Sequence, residues 1–309
     1  MTFSENPIAW IALNFVDVFP NAFIALSQPK QWLDWVTWNN TIEDKQSLMR
    51  FIYYGASIEF AFFVVSSILI FTILGLIKPK IMWRSVVLLE TLANRIGRSA
   101  AWAGLAMVLI QIVIIFLQRI FAVSQISIGF GMTLAFDVSW WSESLKLYNA
   151  IIISMCVSYT FVQGGHVRVD LFYSAVGYRT RKIIDMVGSL FFMIPSAILI
   201  WMYSWFFFWR HMIVPKPSAS DTVDRLVMKA RAFRWNVETI GFSPNGFNAY
   251  FLFKVLILAF TALIFIHAVS FFYRSLLELK GGDASEGLRQ DLDPRPQDQN
   301  SKSHEQGIT

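Results

Sequence analysis

From Phe60 to Ile77 the chain runs for 18 residues without a charged side chain. A helix rises about 1.5 Å per residue, so this run, with Tyr53 and Tyr54 at its edge, reaches across a hydrocarbon layer of roughly 30 Å. Further long apolar runs follow over 100–122, 147–163, 183–209 and 249–273. Inside lipid a backbone must satisfy its own N–H and C=O groups, so such runs are helices. Only 15% of the residues are charged, against about 25% in soluble domains. The sequence predicts an all-α integral membrane protein with about five transmembrane helices and amphipathic interfacial helices between them.

The connections supply the topology. Residues 78–100 carry Lys78, Lys80, Arg84, Arg95 and Arg98 against a single acid, Glu90. Ile81, Met82, Val86, Leu89, Ala93 and Ile96 alternate with them at helical spacing, which predicts an amphipathic arm along the inner membrane surface. Residues 164–182 hold four more bases. Segments assigned inside total 14 Lys and Arg; those assigned outside (1–50, 123–146 and 210–248) total 10. The expected C-terminus is therefore cytoplasmic. A net charge of +5 spread over such loops is a membrane signature and implies no nucleic acid.

Residues 7–28 are apolar but carry Asn14, Asp17, Asn21 and Gln28 at helical spacing, with Pro20 between them. They read as a helix lying in the interface, with a true span as the alternative. Trp32, Trp35 and Trp38 read as a headgroup-level belt. In the 183–209 span, Pro195 predicts a kink or local loosening. Residues 223–233 read as a further interfacial helix. From Gly281 the composition turns polar, and the tail is expected to be disordered. The expected division is 1–50, interfacial segment; 51–98, an extra transmembrane helix plus the arm; 99–280, a four-helix membrane domain with a long outer loop over 210–248; and 281–309, the tail.

No catalytic set is visible. The histidines (His166, His211, His267 and His304) do not pair at ligand spacing, and Cys156 is the sole cysteine, so no metal or other cofactor is expected. An intramembrane carboxylate pathway or a pair of broken helices, the marks of a transporter core, is also missing. This reads as an accessory membrane protein that is not an enzyme.

Between the spans ending at 163 and starting at 183 lies the polar stretch Gly164-Gly165-His166-Val167-Arg168-Val169-Asp170-Leu171. It resembles the signature of the small permease subunit, DctQ-like, of tripartite ATP-independent periplasmic (TRAP) transporters. Trp141 and Glu143 about one span earlier, the Pro195 helix, and Gly241-Phe242-Ser243-Pro244-Asn245-Gly246 ahead of Lys254 agree with it over about residues 95–280. The chain departs from that family in its N-terminal extension, its longer 210–248 loop and its tail. The resemblance implies a scaffold in the bacterial inner membrane. Its partners would be a large multi-span permease subunit and a periplasmic solute-binding protein, supporting sodium symport of an organic acid.

Within this frame His166, Arg168 and Asp170 either anchor the inner turn or order it against the large subunit. Arg84, Arg95, Arg98, Arg179, Arg181 and Lys182 are expected to meet lipid headgroups. Trp140, Trp141, Glu143, Arg225, Lys229 and Arg231 are the expected outer docking set. The competing reading from another class is the membrane anchor subunit of a redox enzyme, which the scarcity of histidines argues against.

Overall fold

The computed structural model describes residues 6–122, 124–128, 134–163, 176–214, 220, 222–232, 247 and 249–287. Helix α1 spans Pro7–Ser27, α2 Lys30–Leu33, α3 Ile42–Ala56, α4 Ile58–Ile77 and α5 Pro79–Ile115. A short hairpin, β1 (Gln125–Ile128) and β2 (Leu134–Asp137), leads into α6, Val138–Val162. Then come α7 (Tyr178–Gly188), α8 (Ile194–Ile213), α9 (Val223–Lys229) and α10 (Phe251–Gly281). Apart from the hairpin the described residues are all-α. Among the described residues six helical segments are long and apolar enough to cross a membrane, and Pro7–Ser27 is one of them.

Local chemistry sets the boundaries. Asn6 caps α1, its side chain accepting from Ile8 N at 3.1 Å, and Pro7 fills the first position, where a missing N–H is harmless. At α3, Thr41 Oγ1 accepts from Asp44 N at 3.2 Å while Asp44 accepts from Thr41 N at 3.1 Å, a reciprocal capping box. Ser57 ends α3 in an extended conformation and accepts from Phe60 N at 3.2 Å to open α4.

Two helices differ from the sequence expectation in their extent. The arm and the span after it, expected to part near residue 100, form one helix, α5, extended by a π-turn over Phe116–Ile120 to 42 residues. At about 1.5 Å per residue it is roughly 63 Å long, twice the hydrocarbon thickness, so half of it must extend beyond the membrane core or along its surface. Likewise α7 runs into α8 through a π-turn over Ser189–Met193, two residues ahead of Pro195. Proline cannot donate to the carbonyl four residues back, and a wider turn accommodates the lost bond, which is the expected loosening.

Helix α10 is the most deeply buried of the six, and packing is layered along it. At its Lys254 end, Leu48 and Ile52 of α3 meet Phe208, Met212 and Ile213 of α8 and Leu226 of α9. Midway, Ile194, Ile198 and Ala268 meet Ala61, Val64 and Val65 of α4. At the Arg274 end, Met82 and Val86 of α5 pack on Phe272, Tyr273 and Leu277, joined by Ile68 and Phe71 of α4. The extra helix α4 thus rests on the chain's own last helices. The expected tryptophan belt is partly core: Trp35 lies edge-on to Trp209 at 5.7 Å and Trp38 packs on the same cluster. Along the opposite flank α5 and α6 pack closely, with Cys156 Sγ reaching the Gly97 carbonyl at 3.4 Å.

Candidate functional site: a buried ionic knot and an aromatic face

The Arg274 end of α10 gathers charges from four places in the sequence. Arg274 grips Glu90 of α5 with two parallel bonds, Nε to Oε1 at 2.6 Å and Nη2 to Oε2 at 2.5 Å. Its third nitrogen, Nη1, lies 3.5 Å from Glu278 Oε1, one turn on. Lys182 of α7 reaches Glu278 Oε2 at 2.7 Å and Glu286 Oε1 at 3.2 Å. Glu90 and Arg274 are each 6% exposed, Glu278 3% and Lys182 8%. Removing such ions from water costs several kcal/mol each, and only paired, fork-matched geometry offsets that.

Further contacts close the knot. The Arg274 guanidinium lies 5.6 Å from the Trp83 ring. Tyr178 hydroxyl donates to the carbonyls of Glu278 and Gly282 at 3.1 and 3.2 Å. Gly282 adopts φ +75°, open chiefly to glycine, so the chain reverses after α10. The reversed segment forms a short turn over Asp283–Ser285, and Gly287 N donates to Glu278 Oε1 at 3.2 Å. The start of the segment expected to be disordered is therefore folded onto the knot. Three acids meet two bases, and the surplus acid is Glu286, whose side chain is 54% exposed.

At the Lys254 end, Trp140 of α6 lies 5.4 Å from Trp141 and 5.3 Å from Phe247. Glu143 accepts from Phe247 N at 2.8 Å, which pins the entrance of α10 to the start of α6. Burial, and then the Glu143 charge, pushes the Tyr250 phenol above its ordinary pKa. Arg225, Lys229 and Arg231 are exposed, on and just after α9, whose Leu226 is buried against α3 and α8.

The expected lipid set divides. Arg84, Arg95, Arg98 and Arg179 are exposed. Arg181 is half-buried, its Nε donating to the Val176 carbonyl at 2.8 Å. Lys182 is a correction: it faces α10 rather than the surface, because it shares a helix face with Tyr178, four residues back, and both meet the Glu278 turn. His166, Arg168 and Asp170 lie outside the described residues.

Sequence reasoning missed Glu90, Arg274 and Glu278. The available signals were an isolated acid within a basic arm and an Arg–Glu pair spaced i, i+4 in the last helix. Among the described residues no three His, Cys, Asp or Glu side chains gather as a metal set.

Residues 132–278 match the family model described as Tripartite ATP-independent periplasmic transporters, DctQ component. The match starts later than residue 95: it takes in β2 and α6 through most of α10, and α5 lies outside it. No curated protein and no solved structure matches the chain. Its apolar helices make this chain a multi-pass membrane protein, and the segment they pack around is similar to the DctQ component of tripartite ATP-independent periplasmic transporters.

Proposed function

We propose that the chain is a membrane scaffold for a sodium-driven TRAP system in the bacterial inner membrane. It supports the large permease, helps seat a periplasmic solute-binding protein, and so serves symport of an organic acid; the solute and ion sites belong to the large subunit. The observation that carries this reading is the knot at Glu90, Arg274, Glu278 and Lys182: interior charges are spent on one another across three helices, as suits a rigid support. The bases of 78–100 and 164–182 favour the knot end as cytoplasmic, with the C-terminus there. Residues 1–98 act as an appended brace and arm, 99–280 as the small-permease domain, and 281–309 as a tail anchored at its start. The exposed Arg225, Lys229 and Arg231 and the Trp140–Glu143 corner form the outer docking face. His166, Arg168 and Asp170 order the inner turn against the large subunit.

The test is affinity purification of the full chain from its native host in mild detergent, with mass spectrometry. A larger multi-span protein and substoichiometric solute-binding protein are expected. Recovery of the chain with a dehydrogenase or haem-bearing subunit overturns the reading. Arg168→Ala and Asp170→Ala are each expected to lower co-purification several-fold while the chain's own thermal transition in detergent stays unchanged. Normal recovery of the large subunit in both variants removes the contact role and leaves only surface anchoring.

A further inference from the structure

A cleft of about 460 Å³ opens between α4, α5 and α10. Phe63 and Phe71 of α4, Leu88 and Leu89 of the arm, and Phe265 and Val269 of α10 line it. Its two serines are already satisfied by their own helices: Ser67 donates to the Phe63 carbonyl at 2.7 Å and Ser85 to the Ile81 carbonyl at 3.2 Å. The cleft therefore offers an apolar lining with no unmet polar demand. A transmembrane helix, about 10–12 Å across, does not enter a space of that size, whereas an acyl chain does.

Two bases stand beside it. Arg84 precedes Ser85 and lies one helical turn before the lining residue Leu88, itself 65% exposed. Arg95 stands on the same stripe three turns beyond Arg84, about 16 Å along the helix. Both guanidinium-bearing residues are exposed, and neither has an ion pair among the described residues. An apolar slot with unpaired cations on the helix that walls it is complementary to an amphiphile with an anionic head.

We infer that the α4–α5–α10 cleft is a binding site for one anionic phospholipid, its acyl chain between Phe63, Phe71 and Leu89 and its phosphate at Arg84, with the charge of Arg95 further along the same helix adding to the attraction. The site is built largely from the extension and the arm, outside residues 132–278, so its failure leaves the subunit assignment untouched. The lipid would fill a gap between the brace helix and the domain it braces.

Native mass spectrometry of the full chain, released from detergent with equimolar phosphatidylglycerol and phosphatidylcholine of identical acyl chains, tests this. One phosphatidylglycerol per chain, retained in tenfold or greater preference, is expected because each base near the headgroup favours an anion. Arg84→Gln with Arg95→Gln should lower retention of phosphatidylglycerol to that of phosphatidylcholine. Ser85→Trp, or Ser85→Leu should the larger side chain impair folding, should displace the bound copy of either lipid. Equal retention of the two lipids by the unaltered chain, or undiminished retention by the folded cleft-filling variant, overturns the site. So does a cleft that binds neither lipid and becomes protected only when the large permease subunit is present.

Discussion

Glu90 and Arg274 show how much one residue can carry when it is buried. Glu90→Gln keeps the shape but removes the carboxylate that meets the guanidinium at two points. Breaking one side of a buried pair costs about 3–5 kcal/mol, so a marked fall in the thermal transition in detergent is expected. Replacing both members, Glu90→Leu with Arg274→Met, should recover much of that loss, since no orphan charge remains. Asp44 titrates at the surface end. Burial alone would raise its pKa, but hydrogen bonds from the Asn39 and Thr41 backbones outweigh it and hold the carboxyl below the ordinary aspartate value. A group with a lowered folded-state pKa stabilises fully above its unfolded value, about 4, and loses that contribution as pH falls through the folded value. Amide exchange at Asn39 and Thr41 should therefore quicken on acidification below about pH 4, and Asp44→Asn should abolish the transition. The capping-box spacing of Thr41 and Asp44, though not singled out in the sequence, was open to a local reading. The burial of Lys182 was not: it sits in a run with Arg179 and Arg181, and only the α7–α10 packing tells which base turns inward.

At the scale of elements, α5 was legible in composition and illegible in continuity. Its first half is charged and its second apolar, a contrast that reads as a boundary, yet the backbone carries no Gly–Pro break between them and the helix runs on. The close approach of α5 to α6 rests on Gly97. A Cβ there would lie 2.2 Å from Cβ of Tyr159, an atom next to the backbone that cannot swing away. Gly97→Ala should push the helices apart and cost about 1–3 kcal/mol, read as a lower thermal transition, whereas Ala at Gly104, where the nearest atom is 3.5 Å away, should be tolerated. Pro195 announced its loosened turn because proline acts locally. The β1–β2 hairpin went unread: two four-residue strands around Gly129 and Gly131 were taken simply as an outer connection.

For the whole molecule, the question is whether the extension is attached or merely tethered. Phe51 contacts both Trp205 and Trp209, at 5.3 and 5.0 Å, and Trp205 packs so tightly on Gly55 that an added Cβ would sit 2.3 Å from its indole nitrogen. Gly55→Ala should therefore dislodge the Trp205 ring, with a cost of about 1–3 kcal/mol and a shifted tryptophan emission. An unchanged transition would mean the extension contributes no docking energy. The sequence made the existence of the extra helix plain and its packing invisible: α4 is apolar all round, and nothing in such a helix marks the side that meets α8 and α10 rather than lipid.

The Glu90–Arg274 pair joins residues 184 positions apart. During translation, at about 5–20 residues per second, the arm leaves the ribosome roughly ten to forty seconds before its partner. For that interval Glu90 lacks the fork-matched guanidinium that offsets its burial, and it has to stay in contact with water. The helices made in between enter the membrane with their common anchor still missing, and the last one locks all of them. A nascent chain interrupted between residues 90 and 274 keeps that carboxylate without the guanidinium that would let it be buried.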